Sequence, residues 1–358
     1  MLYSSLRIMA QMLPVVALLA TAGLAQAAST GLQPGARIPS FSLKDQRGLA
    51  QTFDSLKGPN GLVILFNRSA DWCPFCKAQL IDLEGARKEF EAKGVHVVSV
   101  TYDSPDVLST FAKRRGIHFE MLSDPNSAVI KEFGVLNPDA TADQAGIAIP
   151  NYFWIAPDGV IRHRLAEAEL LDRASASYFY QQIFGGAAAL ERAHSVSAAA
   201  TPHVKVALGQ TDVVTAPGTR IRLWARIEFD GDTHLYAPGA ESLGYHSVKL
   251  SLNPAELYGS HATSYPTSTV LNVPSLGERI PVFEHEVLIA KDIWPIRNDE
   301  TVQKFAADPT LVVRGVLEYQ ACTNTTCFAP TKVPVEWTVE VRASDLDGER
   351  VPEPLRRK

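Results

Sequence analysis

Apolar residues follow two different patterns in the two halves of this chain. From residue 61, short continuous apolar runs such as GLVILF (61–66) alternate with longer segments whose apolar residues recur at helical spacing. The first pattern is typical of strands buried on both faces, and the second of helices that pack on them. The predicted elements are strand 61–66, helix 77–94, strand 95–103, helix 105–116, strand 118–122, helix 127–135, two strands around the turn at 157–159, and a last helix at about 173–184. This alternation predicts an α/β domain with a central sheet flanked by helices.

Beyond residue 203 the apolar residues mostly alternate with polar ones, and Pro, Gly and Asn separate the runs. The β-branched segments lie at 219–231, 246–254, 281–291, 310–322 and 331–343. This pattern predicts an all-β sandwich over 203–341, with one helix near 299–307. The small-residue stretch 186–202 is predicted to link it to the first domain, which spans 32–185. Residues 342–358 are predicted to form a charged, solvated tail.

The first 27 residues have the pattern of a secretory signal peptide. A lone basic residue, Arg7, precedes an apolar run at about 12–24, and Ala25-Gln26-Ala27 forms a small-residue cleavage site. A membrane-spanning helix is the alternative, but the run is short for a span of ~20 residues. We therefore expect export to the periplasm or the exterior with cleavage near Ala27. Loss of Arg7 changes the formal net charge from −5 to −6.

Charge and cysteine content narrow the function classes. A mildly acidic chain without a basic run gives no support for nucleic-acid binding. The 4 cysteines form two close pairs, Cys73/Cys76 and Cys322/Cys327. Loops this short gain little from a stapling disulfide, and two pairs some 250 positions apart are poorly spaced for one zinc site. No nucleotide, flavin or metal motif is present in the sequence, so we expect no cofactor beyond redox-active disulfides.

The first pair has the setting of a thiol–disulfide exchange site. A strand leads into Cys-x-x-Cys, and a helix follows at once, so Cys73 is placed at the helix N-terminus, where the helix dipole favours a thiolate. Cys76 lies one turn further and can resolve a mixed disulfide formed on Cys73. Pro74 fits the first turn, where its missing N–H costs nothing. These residues predict a catalytic pair.

The motif also carries a family resemblance. LFNRSADWCPFCKAQL (65–80) and IPNYFWIAPDGVIRHR (149–164) resemble thioredoxin-like proteins, in particular the exported redoxin branch of the AhpC/TSA superfamily, over about residues 32–185. The resemblance implies a cis bond between Ile149 and Pro150, with Pro150 beside the active cysteines and shaping the docking surface. It also implies supporting roles for Trp72, Pro74 and Phe75.

Two positions depart from the family patterns. Thioredoxins place a buried Asp six residues before the first active cysteine, and this chain has Asn67 there, which cannot titrate. Asp71 is expected to be an exposed loop residue. Peroxiredoxins carry Pro-x-x-x-Thr-x-x-Cys, whose Thr positions the peroxide, whereas these slots are Phe66 and Ala70 here. A thiol-dependent peroxidase is therefore the second interpretation of this domain.

The second pair lies in β surroundings, and its chemistry leaves a structural clip open. YQACTNTTCFAP (319–330) and DGDTHLYAP (230–238) resemble the N-terminal domain of the disulfide reductase DsbD, an immunoglobulin-like sandwich with a redox-active pair. The resemblance implies that Cys322 and Cys327 are redox-active and framed by Tyr319 and Tyr236. The pair is separated by four residues here and by five in the best-known members.

Together these features predict a periplasmic thiol–disulfide oxidoreductase. Cys73 attacks a substrate disulfide and Cys76 resolves it, while Cys322/Cys327 relay electrons as a second pair. The expected partners are protein disulfide substrates and a separate thiol electron donor, without nucleic acid and without a transmembrane segment after signal cleavage. The alternatives are a peroxidase of the AhpC/TSA type and a redoxin tethered by a non-catalytic β docking module.

Overall fold

A seven-stranded mixed sheet organises the first half of the chain. The computed structural model describes residues 31–166, 172–185, 194–201, 203–275, 277–323 and 325–345. The elements of this half are β1 (Ser42–Asp45), β2 (Ala50–Thr52), α1 (Phe53–Leu56), β3 (Leu62–Phe66), α2 (Pro74–Ala92), β4 (His96–Thr101), α3 (Pro105–Arg115), β5 (Glu120–Ser123), α4 (Ala128–Glu132), β6 (Asn151–Ile155), β7 (Ile161–Ala166), β8 (Arg173–Ala174) and α5 (Ala176–Phe184). The strand order is β2-β1-β5-β4-β3-β6-β7.

The central strand β3 separates two apolar cores. Val63 and Leu65 belong to the core beneath α2, α3 and α5, while Leu62, Ile64 and Phe66 belong to the core on the other face. Successive side chains of a strand point to opposite faces, so a strand that is apolar throughout is buried on both. The predicted thioredoxin-like α/β arrangement is confirmed for this half.

The described residues of the second half form β-strands, one α-helix and a short 3-10 helix at Ala240–Leu243. Its elements are β9 (His194–Thr201), β10 (Val204–Gln210), β11 (Val214–Thr215), β12 (Thr219–Phe229), β13 (His234–Tyr236), β14 (Lys249–Leu252), β15 (Tyr258–Ser260), β16 (Thr269–Val273), β17 (Glu278–Glu284), β18 (Glu286–Pro295), α6 (Asp299–Ala307), β19 (Thr310–Tyr319), β20 (Ala321–Cys322) and β21 (Thr331–Val341). The sheets β15-β18-β12-β10-β9 and β11-β21-β19-β14 enclose one apolar core, and β16-β17-β13-β20 form a further sheet. The β-rich character is as predicted, and the immunoglobulin-like topology stays a prediction.

The boundary between the halves differs from the sequence prediction. Residues 173–174 are a short strand, and the helix predicted from 173 begins at Ala176, because Ser175 caps it by accepting the Tyr178 N–H through its side chain. Residues 194–201 were predicted to lie in a linker, but they form β9 and pair with β10. The proposed signal peptide and residues 346–358 lie outside the described residues.

The two halves pack together beside the cysteine-bearing helix. β8 pairs in parallel with β12, which ties the first half to the second through the backbone. Asp345 was predicted to lie in a solvated tail, but it is only 7% exposed and makes ion pairs with Lys77, Arg114 and Arg115. Three cations against one carboxylate hold this segment down, so the C-terminal end of the β-rich half is anchored to α2 and α3.

Candidate active site at the Cys73–Cys76 pair

The loop after β3 delivers both cysteines to the start of α2. Cys73 is the N-cap of α2, and its sulfur accepts a hydrogen bond from the Cys76 N–H at 3.3 Å. Pro74 occupies the first turn, as predicted. Cys73 is 1% exposed, Cys76 is fully buried, and no disulfide joins them in this structure. The structure thus contains a buried dithiol in which a helix N–H points at the first sulfur.

Arg173 supplies a positive charge that sequence reasoning missed. Its guanidinium Nη1 lies 3.8 Å from the Cys76 sulfur and 3.3 Å from Gln79 Oε1. Burial opposes ionisation of Cys76, but a hydrogen bond from Cys73, the charge of Arg173 and the Ser69 N–H outweigh burial and lower its pKa to about 5. Arg173 is 97 positions from Cys76, and nothing in its local sequence marks it.

The same interactions affect Cys73 in the opposite direction. Burial raises the pKa of Cys73 well above its ordinary value, and the hydrogen bond to Cys76 and the Cys76 charge add to this. The Arg173 charge and the hydrogen bonds thus favour a thiolate on Cys76 in this buried state, whereas the sequence predicted a thiolate on Cys73. Which sulfur attacks a substrate stays a prediction.

Aromatic residues flank the pair on both sides. The Trp72 indole donates a hydrogen bond to the Tyr102 hydroxyl at 2.9 Å, and the Arg68 guanidinium lies 5.0 Å from the centre of the Trp72 ring. Phe75 is buried, with the Arg297 guanidinium 4.9 Å from its ring centre. Since Arg297 belongs to the β-rich half, that half takes part in covering the dithiol.

The bond between Ile149 and Pro150 is trans, so the predicted cis bond is wrong. The Ile149 N–H donates to the Val135 carbonyl at 2.7 Å, and the Ile149 carbonyl accepts from the Asn151 side chain at 3.0 Å. The backbone groups around the bond are therefore satisfied in the trans form, which an X-Pro bond prefers. Pro150 is buried, and its docking role stays a prediction.

The segment before the pair contains the positions at which this chain departs from the thioredoxin and peroxiredoxin patterns. Phe66 is fully buried, with its ring centre 4.8 Å from that of Phe133, and Ala70 is 1% exposed. Neither can offer a polar group to a peroxide. The Asn67 side chain is fully buried, and among the described residues neither of its polar atoms has a hydrogen-bond partner. Asp71 was expected to be exposed but is half-buried.

Cys322 and Cys327 form a disulfide in the β-rich half. Cys322 is fully buried, whereas Cys327 is exposed. The Tyr236 hydroxyl lies 3.4 Å from the Cys327 sulfur, and Tyr319 is buried in the main core of this half. The predicted framing by Tyr236 thus has a direct contact, and this disulfide presents one sulfur to the surface.

The strand register separates the two cysteine pairs. β8, which carries Arg173, pairs with the start of β12 as far as Arg220. Cys322 pairs with His234 of β13, and His234 also pairs with Glu284 at the end of β17. The following strand, β18, begins with a residue that pairs with Glu228 near the end of β12. Residues 220 and 228 are eight positions apart, which is ~26 Å at ~3.3 Å per residue. The register therefore places the two cysteine pairs towards opposite ends of β12, and the electron relay between them stays a prediction.

The fold and the buried dithiol define a thioredoxin-like redoxin, and comparison with known proteins identifies its family. The AhpC/TSA family model matches residues 34–164. Peroxiredoxin Bcp of Escherichia coli (strain K12) is 31% identical over 133 residues, which cover 37% of this chain and 84% of that protein. Chloroplastic peroxiredoxin Q of Populus jackii is 34% identical over 97 residues, or 27% of this chain and 45% of that one. The chain belongs to the AhpC/TSA family through its N-terminal domain.

Solved structures give a matching but weaker comparison. Thiol peroxidase from Chromobacterium violaceum is 19% identical with a TM-score of 0.37, covering 43% of this chain and 86% of that chain. Peroxidoxin BcpB from Mycobacterium tuberculosis is 22% identical with a TM-score of 0.35, covering 38% and 86%. Family membership rests on the sequence matches.

Proposed function

We propose that the N-terminal domain is a thiol-dependent peroxidase that uses Cys73 and Cys76 as its redox pair. The thiolate of the pair attacks the peroxide, so that an S–O bond forms, the O–O bond breaks and an alkoxide or hydroxide leaves. The second thiol then attacks the sulfenic sulfur, forming the disulfide and releasing water. Two electrons pass from the dithiol to the peroxide, and a separate thiol donor reduces the disulfide again.

The observation that carries this proposal is the Cys76 sulfur 3.8 Å from Arg173. Peroxide reduction requires a thiolate, because the thiol itself is a poor nucleophile. A neighbouring cation stabilises that thiolate and also the negative charge that develops on the leaving oxygen. The relatives that match the domain are peroxiredoxins by name, which favours a peroxide as the oxidant.

The test is peroxide consumption by the full chain with a small dithiol as reductant. We expect turnover with hydrogen peroxide or an organic hydroperoxide that is lost in Cys73→Ser and Cys76→Ser. A serine in place of the attacking cysteine abolishes the first step, and a serine in place of the other leaves a sulfenic acid that mass spectrometry detects. Turnover that persists in both variants would exclude the pair as the site.

Disulfide exchange with a protein substrate is the second candidate, and Phe66 and Ala70 favour it. Both positions are apolar and buried, so the loop has no side-chain hydroxyl at these slots to hold a peroxide. Two cysteines one helical turn apart also suit attack and resolution of a mixed disulfide. Reduction of a disulfide-bonded test protein without peroxide consumption would establish this candidate instead.

For the remaining parts of the chain we keep two proposals. The first is that the N-terminal segment directs export. N-terminal sequencing of the protein from a secreting host tests this, because export predicts cleavage near Ala27. The disulfide between Cys322 and Cys327 exchanges electrons with a separate thiol protein through the exposed sulfur of Cys327. Reduction of this disulfide by a thioredoxin-like donor, followed by alkylation, tests that role against a structural clip.

A further inference from the structure

Asp103 is a buried acid beside the dithiol that the sequence analysis did not single out. It follows β4, the strand that runs parallel to β3, and Phe66 pairs with Val100 in this register. The Asn67 N–H donates to the Val100 carbonyl at 3.0 Å. Parallel strands end at the same edge of a sheet, so the segment with Asp103 lies next to the loop that carries the cysteines. Asp103 is 8% exposed.

The carboxylate of Asp103 accepts three hydrogen bonds, and two of them come from that loop. It accepts from the Ser69 hydroxyl at 2.9 Å, from the Ala70 N–H at 2.7 Å and from the Thr101 hydroxyl at 3.0 Å. The Ser69 hydroxyl oxygen in turn accepts the Asp71 N–H at 2.9 Å. These bonds join the carboxylate to the backbone immediately before Cys73.

Ser69 also connects Asp103 to the second sulfur. Its backbone N–H helps to stabilise the Cys76 thiolate, while its side chain donates to the carboxylate of Asp103. One residue therefore contacts both the acid and the thiolate. Because all three residues are buried, a change of charge on Asp103 or Cys76 alters the ionisation of the other group.

The charges around Asp103 favour coupling to the dithiol. Burial raises its pKa to about 6 against its three hydrogen bonds, and the negative charge of Cys76 adds to the rise. Arg68 and Arg173 act on the cysteine pair itself. Asp124, the residue after the neighbouring β5, accepts the N–H groups of residues 128 and 130 through its carboxylate.

We propose that Asp103 is a redox-linked proton site, which binds a proton while the dithiol is reduced and releases it when the Cys73–Cys76 disulfide forms. The reduced pair holds one thiolate and one thiol. Oxidation removes the thiolate, so the negative charge that opposes ionisation of Asp103 disappears. The linkage to the disulfide does not depend on which oxidant is used.

During peroxide reduction the released proton has a defined destination. Attack by the thiolate leaves an alkoxide, which takes the proton of Asp103 and departs as an alcohol. The remaining thiol then closes the disulfide and water leaves, so that atoms and charge balance with Asp103 as carboxylate. Reduction of the disulfide returns one proton to Asp103. This assignment of the proton rests on the proposed peroxidase function.

The experiment is the pH dependence of the equilibrium between dithiol and disulfide in the full chain. The protein is equilibrated in dithiothreitol buffers from pH 5 to 8, quenched by alkylation, and Cys73 and Cys76 are quantified by peptide mass spectrometry. We compare the wild type with Asp103→Asn and with the matched control Asp106→Asn, whose side chain is exposed. No peroxide is present, so failure of the peroxidase proposal would not affect the result.

For each disulfide reduced, we expect the wild type and Asp106→Asn to take up as much as one proton more than Asp103→Asn does, at pH values up to about 6. Asp103→Asn should lack this extra uptake, which a purely structural role would not remove. If Asp103→Asn fails to fold, infrared difference spectra of the wild type provide the second measurement. A carboxylic-acid band must then appear on reduction at pH 6. Absence of that band, or an unchanged pH dependence in Asp103→Asn, would overturn the proposal.

Discussion

Replacement of Arg173 by Gln tests whether its charge sets the ionisation of the dithiol. The guanidinium lies 3.8 Å from the Cys76 sulfur, and both residues are almost completely buried. Two unit charges ~4 Å apart interact by ~4 kcal/mol at an effective dielectric constant of ~20. Since one pH unit corresponds to ~1.4 kcal/mol, the pKa of Cys76, about 5 in the wild type, should rise by roughly two to three pH units in Arg173→Gln.

The assay is the rate of iodoacetamide labelling of the reduced full chain as a function of pH. Arg173→Lys is the matched control, because it keeps a positive charge and should shift the midpoint less. Arg162→Gln replaces an exposed arginine and should shift nothing. Thermal unfolding of each variant separates a change in ionisation from a loss of structure. A midpoint for Arg173→Gln within half a pH unit (about 0.7 kcal/mol) of the wild type would show that the Arg173 charge does not set the ionisation of Cys76.

Three further predictions concern the rest of the structure. Burial first, and then the charge of Asp212, raises the pKa of Asp82 to about 7. The folded state thus favours the neutral acid, so the contribution of Asp82 to stability is lost as pH rises from about 4 to about 7. The free energy of unfolding in urea should be roughly 2–4 kcal/mol higher for Asp82→Asn than for the wild type at pH 8, but not at pH 4. Parallel pH curves for the two proteins would contradict this. Trp337→Phe leaves a buried backbone carbonyl without its donor and should cost the β-rich half about 1–3 kcal/mol, measured by denaturant unfolding, while labelling of the dithiol stays unchanged. Replacing both Cys322 and Cys327 by Ser should leave peroxide turnover with a small dithiol unchanged, since the register places Cys322 beyond the end of β12 that is opposite to Arg173. A large loss of turnover would mean that the two pairs exchange directly.

Local patterns were sufficient to predict most elements of the first half from residue 61 onward, whereas β1, β2 and α1 were not predicted. The continuous apolar run of β3 and the helical spacing after Cys76 each determine one element and its buried face, so the strand–loop–helix around the dithiol follows from them. The Cys-x-x-Cys spacing and the helix N-terminus then place two sulfurs together. All of these signals lie within about thirty positions of one another.

The parts of the site that were missed depend on contacts between distant segments. Arg173 reaches Cys76 only because β8 pairs with β12, and a two-residue strand has too few residues to show a period. Asp103 reaches the loop through the parallel pairing of β3 with β4, which no local pattern specifies. The error at the bond before Pro150 has a different origin. The family resemblance implied a cis bond, but the bond is trans and the local hydrogen bonds of this chain satisfy the trans form.

A single turnover with the reduced full chain shows whether the Cys73–Cys76 dithiol itself reduces peroxide. One equivalent of peroxide is added without any reductant, the reaction is quenched by alkylation, and the cysteine peptides are analysed by mass spectrometry. We expect stoichiometric loss of peroxide with formation of a Cys73–Cys76 disulfide, and Cys322–Cys327 unchanged. A dithiol that remains reduced in peroxide but is oxidised by a protein disulfide would contradict the peroxidase function and establish disulfide exchange in its place.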